Sequence, residues 1–569
     1  MTTTLAAVMS MPEKVATLWP EIVLFAGSCV VMIVGLSRSY PVRKLCGLIC
    51  VLALGLAGFL AFIAPPTPGA MPNLAGYGKV LTAVVGLVLV LLLAGTADRD
   101  YEAQIARGET FNPLKSNRGE FYAFVLFSLT GLMLCAGADD LIWLFLALEL
   151  TSLPTYIMVS ISTSRNRSME AGVKYFFLGA LGAATFLMGF TLLYGGTGTT
   201  NVLKIQQLLA AQSAAGGINA IAMAGLVMSV LGIAFKIAAV PMHFYTPDVY
   251  QGASASVAAF LAFVPKAAGF FALLVILGTV GWNSAGGRLP TPLHELLWVM
   301  AALTMTVGNV LAVLQTSVKR TLAYSSVAHS GYMLVGLVAG PGKLVPDESG
   351  FLSATFTGSG LSALLFYLLS YGVMNLGAFA VLASLERTGR DGQPEEIDSF
   401  ADLRGLCRSS PVLGYTMVLS ALGLLGLPPT LGFFAKLPLF TSAISSGQAV
   451  LVVILGINSA IAAFYYLKLA GTPWLESADT ADGQSPPNAH PDGLTPPRLA
   501  PFPARTIAGV ASAVGVVVLA VVPFTGAANH AAVYRDSTFD PSERAPGLTK
   551  PVRSAGAETT PTPNAPANP

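Results

Sequence analysis

Stretches of about twenty mainly apolar residues follow one another along the whole chain, near 18–36, 44–64, 79–96, 121–138, 141–161, 173–195, 219–240, 254–280, 295–314, 324–340, 354–384, 412–440, 447–470 and 506–525. A helix needs about 20 such residues to cross the hydrocarbon of a bilayer. Recurrence on this scale points to an all-α polytopic membrane protein with about 14 transmembrane helices. Two of the stretches, 354–384 and 412–440, are long enough to be tilted or interrupted. Charge agrees with this reading, because Asp, Glu, Lys and Arg make up only 11% of the 569 residues, against about 25% in soluble domains. An ordinary cytosolic enzyme, a coiled coil and a nucleic-acid binder are excluded, since each needs more charged surface. Glycine is abundant, but without the three-residue period of collagen. The first apolar run begins near Leu18 after a weakly charged leader and a second follows at once, so it reads as a spanning helix and not as a cleaved signal.

Loop charge sets an expected orientation. Loops after odd-numbered spans, with their margins, hold 19 Lys or Arg, whereas loops after even-numbered spans hold only Lys79, Lys204, Arg288 and Lys343. Odd-numbered loops are therefore expected in the cytoplasm, and both termini on the extracytoplasmic side. Residues 386–408 form a charged cytoplasmic loop. Residues 474–505, with QSPPNAHPDGLTPP, read as a disordered or variable insertion, and the Pro-, Ala-, Thr- and Ser-rich tail after about 527 reads as disordered. The five cysteines (29, 46, 50, 135 and 407) lack metal-ligand spacing and are read as small buried apolar residues. There is no Rossmann fingerprint, P-loop or zinc motif, so no cofactor is expected in this chain.

An ionisable group inside hydrocarbon costs several kcal/mol even on lenient scales, so the few that stand within spans carry the most information. Glu149 lies in LIWLFLALELTSLPTY, Lys236 in GIAFKIAAVPMHFYTPDVYQGA, Lys266 in AAFLAFVPKAAGF and Lys436 in GLLGLPPTLGFFAKLPLF. Pro154, Pro241, Pro265 and Pro438 stand within five residues of them, and proline disturbs a helix by withholding an N–H. The 219–240 and 412–440 stretches are expected to be broken helices. The alternatives are a structural ion pair for Glu149 and snorkelling to the interface for Lys236. His329, in AYSSVAHSGYM, has a titratable ring suited to a relay, or is simply hydrogen-bonded within a helix bundle. Glu21 is read as interfacial, and Lys319 and Arg320 as positive-inside residues, with a role in proton entry as the alternative. His243 and Asp248, near a cytoplasmic helix end, read as a proton route or merely a cap.

The four charges fall in spans 5, 7, 8 and 12. Spans 7 and 12, both interrupted, are five apart, so spans 4–8 and 9–13 make two five-helix units. Because five is odd, the second unit starts from the opposite side of the membrane. That is an inverted repeat with its working site at the broken helices.

The LALELTSLPTY, FKIAAVPMHFYTPDVYQGA, AYSSVAHSGYM and GLPPTLGFFAK segments together resemble the subunit N family of bacterial NADH-quinone oxidoreductase, antiporter-like membrane subunits of respiratory complex I. The resemblance covers roughly residues 120–470. PMHFYTPDVYQGA is its most specific part and fits N better than L, M or the cation/proton antiporter relatives. A lysine at Lys436 is similar to N or L, where M has a glutamate.

The resemblance implies a division into an N-terminal three-helix region with its loop (1–120), first and second antiporter-like repeats (121–280 and 294–470), a Pro-rich cytoplasmic loop (471–505), a final helix (506–525) and a disordered tail (526–569). It also implies that Glu149, Lys236, Lys266, His329 and Lys436 relay protons out of the cytoplasm, driven by quinone reduction elsewhere in an inner-membrane complex. The other membrane-arm subunits would be the partners, with NADH, FMN, iron–sulfur clusters and quinone held in partner subunits and none in this chain. A Mrp-type cation/proton antiporter subunit and a structural membrane-arm spacer are the alternatives.

Overall fold

The structure, a computed structural model, describes residues 11–65, 71–108, 110–163, 166–282, 288–342, 345–346, 352–353, 356–389, 394–475, 497–521 and 525–532. Lys343, most of the Pro-rich insertion (476–496) and the tail from 533 onward lie outside the described residues.

In hydrocarbon every backbone N–H and C=O must find its partner within the protein, which selects helices. The principal helices are α1 (Met11–Gly35), α2 (Leu45–Ile63), α3 (Leu74–Leu92), α4 (Arg118–Ala136), α5 (Leu141–Ile161), α6 (Asn166–Thr197), α7 (Ala220–Lys236), α8 (Thr246–Gly252), α9 (Ala255–Val280), α10 (Thr291–Val313), α11 (Val318–Ala339), α12 (Gly360–Ser384), α13 (Pro411–Leu425), α14 (Leu431–Ser445), α15 (Ala449–Leu475) and α16 (Pro503–Val521). Among the described residues, twelve helical segments are long and apolar enough to cross a membrane, while α7, α13 and α14 are shorter apolar helices. The protein is an all-α polytopic membrane protein.

Side-chain oxygens start several of these helices in the way that N-caps do. Asp140 accepts from the Ile142 N–H at 2.8 Å, Ser317 from Arg320 at 3.1 Å and Ser359 from Ser362 at 3.2 Å. Small residues then let helices approach closely. Gly182, Gly189 and Gly196, seven apart on α6, face α7; a methyl at Gly196 would stand 2.7 Å from the Ala222 backbone nitrogen, and one at Gly182 would stand 2.9 Å from Phe235 Cβ.

The centre is formed by α9, α11 and α12. Their most apolar windows are 94, 100 and 89% buried, against 33% for α1, α2, α6, α15 and α16. The outer helices turn Ile33, Phe62, Phe177, Phe464 and Val521 outward, as a lipid-facing surface requires. The central helices carry Lys266, His329 and the residues around them. Pro265 was expected to disturb its helix, yet α9 runs continuously through it. The proline withholds one N–H, and the enclosing neighbours hold the helix together.

Both expected breaks are present. The helix α7 ends at Lys236, Ala238 takes a left-handed φ of 54°, and α8 begins at Thr246. The freed backbone is satisfied inside the protein, with Tyr245 donating to the Phe235 carbonyl at 2.8 Å and the Val240 N–H donating to Thr304 at 3.0 Å. The second break lies between α13 and α14, where Gly426 has φ 82° and Pro428 and Pro429 follow. A left-handed cap is the conformation that favours glycine.

Short strands add a feature that the apolar pattern does not contain. β1 (Val345–Pro346) pairs antiparallel with β2 (Leu352–Ser353). β3 (Leu385–Thr388) lies between β4 (Pro394–Glu396) and β5 (Arg498–Leu499), with Glu386 opposite both Glu396 and Arg498. The charged loop after α12 is thus partly ordered as a small sheet.

Candidate functional site

Glu149, on α5, and Lys236, the last residue of α7, meet as an ion pair. Lys236 Nζ stands 3.1 Å from Glu149 Oε1 and donates to Ser152 Oγ at 2.6 Å. Lys236 is 2% exposed, and its ammonium lies 5.5 Å from the centre of the Phe186 ring. Snorkelling is therefore not what the lysine does. It is held inward, at the C-terminal end of a half-helix where backbone carbonyls favour a cation.

Lys266 reaches from the middle of α9 to α11, donating to the Ser326 carbonyl and, at 3.0 Å, to Ser330 Oγ. The Tyr250 hydroxyl, on α8, lies 3.3 Å from Ser326 Oγ. No hydrogen bond among the described residues joins Lys236 to Lys266. Between them Gly269 leaves a close approach, where a methyl would stand 3.1 Å from Lys236 Cβ.

His329, one turn along α11 from Ser326, is enclosed by tyrosines. Its Nδ1 lies 2.7 Å from the Tyr367 hydroxyl and its Nε2 lies 2.7 Å from that of Tyr466. Tyr466 is also bonded to Ser325, and the Tyr371 ring centre lies 4.9 Å from the imidazole. A neutral imidazole has one donor and one acceptor nitrogen. With a hydroxyl on each, one tyrosine donates and the other accepts, and moving a proton across the ring reverses both bonds.

Tyr332 extends the set toward Lys436. Its ring centre is 5.5 Å from that of His329, Lys436 Nζ lies 5.1 Å over it, and its hydroxyl accepts from Asn309 at 2.9 Å. Asn309 also donates to Asn458 at 3.2 Å and accepts from Tyr465 at 2.9 Å. Lys436 itself, on α14, donates to the Leu425 and Leu424 carbonyls that close α13, at 2.7 and 3.3 Å.

Two features escaped the sequence reading. Glu21, expected at the interface, is instead buried against Lys79, which had been counted as a loop-margin charge. The two are 2.9 Å apart and 4% and 3% exposed. The second is a charged cavity of about 590 Å³ where the loops after α3, α5, α8 and α12 meet, lined among others by Arg99, Arg167, Ser254, Lys319, Glu386 and Glu396. Lys319, read as a positive-inside residue, bridges to Glu396 at 2.7 Å and donates to the Ala253 carbonyl at 3.1 Å, while Glu396 accepts from the Ala255 N–H at 2.7 Å. Burial acts to raise the Glu396 carboxyl, but the Lys319 ammonium, the more distant Arg505 guanidinium and the Ala255 N–H outweigh it and hold the group below the ordinary carboxylate range. Asp248 pairs with Arg320 at 2.8 Å, while His243 is buried beside the break. Among the described residues no group of three or more His, Cys, Asp or Glu side chains stands together as a metal site.

Residues 138–462 match the sequence model of the family described as NADH:quinone oxidoreductase/Mrp antiporter, TM. The chain is 40% identical over 387 residues to NADH-quinone oxidoreductase subunit N of Trichlorobacter lovleyi, an alignment covering 68% of this chain and 72% of the relative. It is 38% identical over 487 residues to the subunit N of Geobacter metallireducens, covering 83 and 92%. Among solved structures, a chain of respiratory complex I from Thermus thermophilus with bound aureothin aligns with a TM-score of 0.67 at 30% identity, over 90% of this chain and 100% of that one.

Proposed function

The chain belongs to the NADH:quinone oxidoreductase/Mrp antiporter family of membrane proteins, as a bacterial subunit of the N type, and from that membership we propose that Glu149, Lys236, Lys266, His329 and Lys436 carry its protons. It is a proton-translocating, multi-pass subunit of the inner membrane, part of a translocase complex and associated with other membrane-arm subunits. No redox step is assigned to it; quinone reduction elsewhere in the complex supplies the drive.

The observation that carries the reading is the Glu149–Lys236 contact of 3.1 Å at the end of a broken helix. At that distance and an effective dielectric of about 20, the two charges attract by on the order of 5 kcal/mol. Neutralising or displacing one therefore removes the charge that holds the other in place, which is how a change at one member reaches its partner. Beyond the pair, Lys266 with Ser330, then His329 between two tyrosine hydroxyls, then Tyr332 and Lys436 supply successive groups that can hold or pass a proton. The charged cavity around Lys319 and Glu396 serves as the cytoplasmic inlet.

In this reading α7 with α8, and α13 with α14, each count as one interrupted span, so that twelve long helices become fourteen spans. Spans 4–8 and 9–13 are inverted repeats, placing residues 121–280 and 294–470 in two related units. Residues 1–120 precede them as a three-helix region; the Pro-rich loop (471–505), the final helix (506–525) and the tail (526–569) follow. A shared detail supports the relation: Lys236 ends α7, and Lys436 caps the end of α13. Both termini face the extracytoplasmic side, in keeping with the 19 cytoplasmic Lys and Arg.

The test compares proton pumping with quinone reductase activity in the assembled complex carrying Lys266→Ala or His329→Ala. Pumping falls relative to electron transfer if the relay is right. Unchanged pumping at unchanged assembly sinks it.

A further inference from the structure

Glu21 and Lys79 form an ion pair inside the membrane body that the relay above does not use. The carboxylate is on α1 and the ammonium on α3, 2.9 Å apart, and neither is more than 4% exposed. Lys79 also donates to the Thr17 carbonyl. Both Glu21 oxygens are buried without a hydrogen-bond donor among the described residues, and Oε1 meets Lys79 only as an ion pair.

A polar stripe joins this pair to the surface. Lys14, Thr17 and Glu21 are three and four residues apart, on one face of α1. Thr17 Oγ1 donates to the Lys14 carbonyl at 2.8 Å. Lys14 in turn pairs with Asp139, on the turn between α4 and α5, at 2.6 Å, and these two are 37 and 33% exposed. Charge thus runs in steps from a water-accessible pair to an enclosed one. On the other side, Gly78 brings α3 against α9, the helix of Lys266: a methyl there would stand 3.1 Å from the Phe271 ring.

A buried ion pair is a poor device for stability, since apolar packing of the same volume does as well or better. A permanently ionised carboxylate also collects several donors, whereas this one has only the Lys79 charge beside it. Lys79, by contrast, keeps the Thr17 carbonyl as a second acceptor and so holds its place when the carboxylate is neutralised.

We propose that Glu21 is a protonatable site of the transport cycle, exchanging its proton along the Thr17 and Lys14–Asp139 stripe with the extracytoplasmic face. The carboxylate binds a proton at Oε2 to become the neutral acid. On release the O–H bond breaks, the proton passes to water beside Lys14 and Asp139, and the Glu21–Lys79 ion pair is restored. The groups facing Glu21 are Lys79 from α3, with Lys14 and Asp139 at the outer end of the stripe. The inference rests on the proton-transport reading above.

The experiment uses the assembled complex in liposomes, with E21Q and, as reference, E149Q. Redox-driven infrared difference spectra lose a carboxyl C=O band in E21Q that E149Q retains, and protons pumped per electron fall in E21Q while reductase activity per assembled complex is kept. A band and a pumping ratio unchanged by E21Q overturn the proposal and leave the pair structural. Should E21Q not assemble, E21D shifts the band, and an unshifted band overturns the proposal equally. Failure of the relay reading shows separately, as E149Q pumping normally.

Discussion

The Lys436 ammonium on α14 donates at 2.7 Å to the Leu425 carbonyl, the last of α13. One side chain therefore supplies both a buried charge and a cap for a broken helix. The two roles separate by substitution. Lys436→Met leaves the Leu424 and Leu425 carbonyls without this donor, at a cost of about 1–3 kcal/mol for each one left unsatisfied. It should lower the melting temperature of the complex and abolish pumping through this subunit. Lys436→Gln keeps an N–H donor without the charge, so it should recover much of the melting temperature and none of the pumping. A Gln variant that pumps normally would show that the charge is dispensable.

Glu396 supplies a pH-dependent prediction outside the membrane. Its carboxyl is held below the usual 4.5, burial being outweighed by Lys319, Arg505 and the Ala255 N–H. A group whose folded value is depressed contributes stability that is present above the unfolded value and is lost as pH falls through the folded one. The sheet and the start of α9 should therefore loosen on acidification below about pH 4.5. Glu396→Gln keeps an acceptor for the Ala255 N–H but loses the attraction to Lys319, so the variant should melt lower near neutrality and show a flatter acid limb. Melting curves of the purified complex across this pH range, wild type against E396Q, make the comparison.

How much of this was legible in the sequence depends on whether a feature is local. A spanning helix is written in about twenty consecutive residues, and a break is written where prolines crowd an ionisable group, as around Lys236–Pro241 and Pro428–Lys436. The two breaks stand where these signals cluster, but a single proline beside a charge is not enough, since α9 runs on through Pro265 next to Lys266. The cage around His329 was not legible, because Tyr367, Tyr371 and Tyr466 stand in apolar runs where tyrosine reads as one more large hydrophobe. Only the tertiary fold puts the Tyr367 and Tyr466 hydroxyls on the imidazole nitrogens, each at 2.7 Å, and the Tyr371 ring against the imidazole. The Glu21–Lys79 pair was hidden for a related reason. Each member sits near the end of its own span and looks interfacial alone; the pairing is tertiary. The small sheet around Glu386 and Glu396 follows from strand pairing with Arg498, far along the chain, which no local pattern announces.

The Glu149–Lys236 pair allows stability to be separated from transport most cleanly. Lys236 is 2% and Glu149 17% exposed, so each charge depends on the other for much of its solvation. Removing one partner of such a pair costs about 3–5 kcal/mol, because an uncompensated charge is left behind, whereas replacing both by uncharged groups is often nearly neutral. Glu149→Gln and Lys236→Met should each lower the melting temperature of the complex, and the double variant should melt closer to wild type than either single one. Pumping should move otherwise, being impaired in both singles and not rescued in the double, since restored packing does not restore a proton carrier. Parallel melting and pumping measurements on the three variants decide the matter. A double variant that regains both stability and pumping would mean that the pair only holds α5 to α7, and the relay would have to run without it.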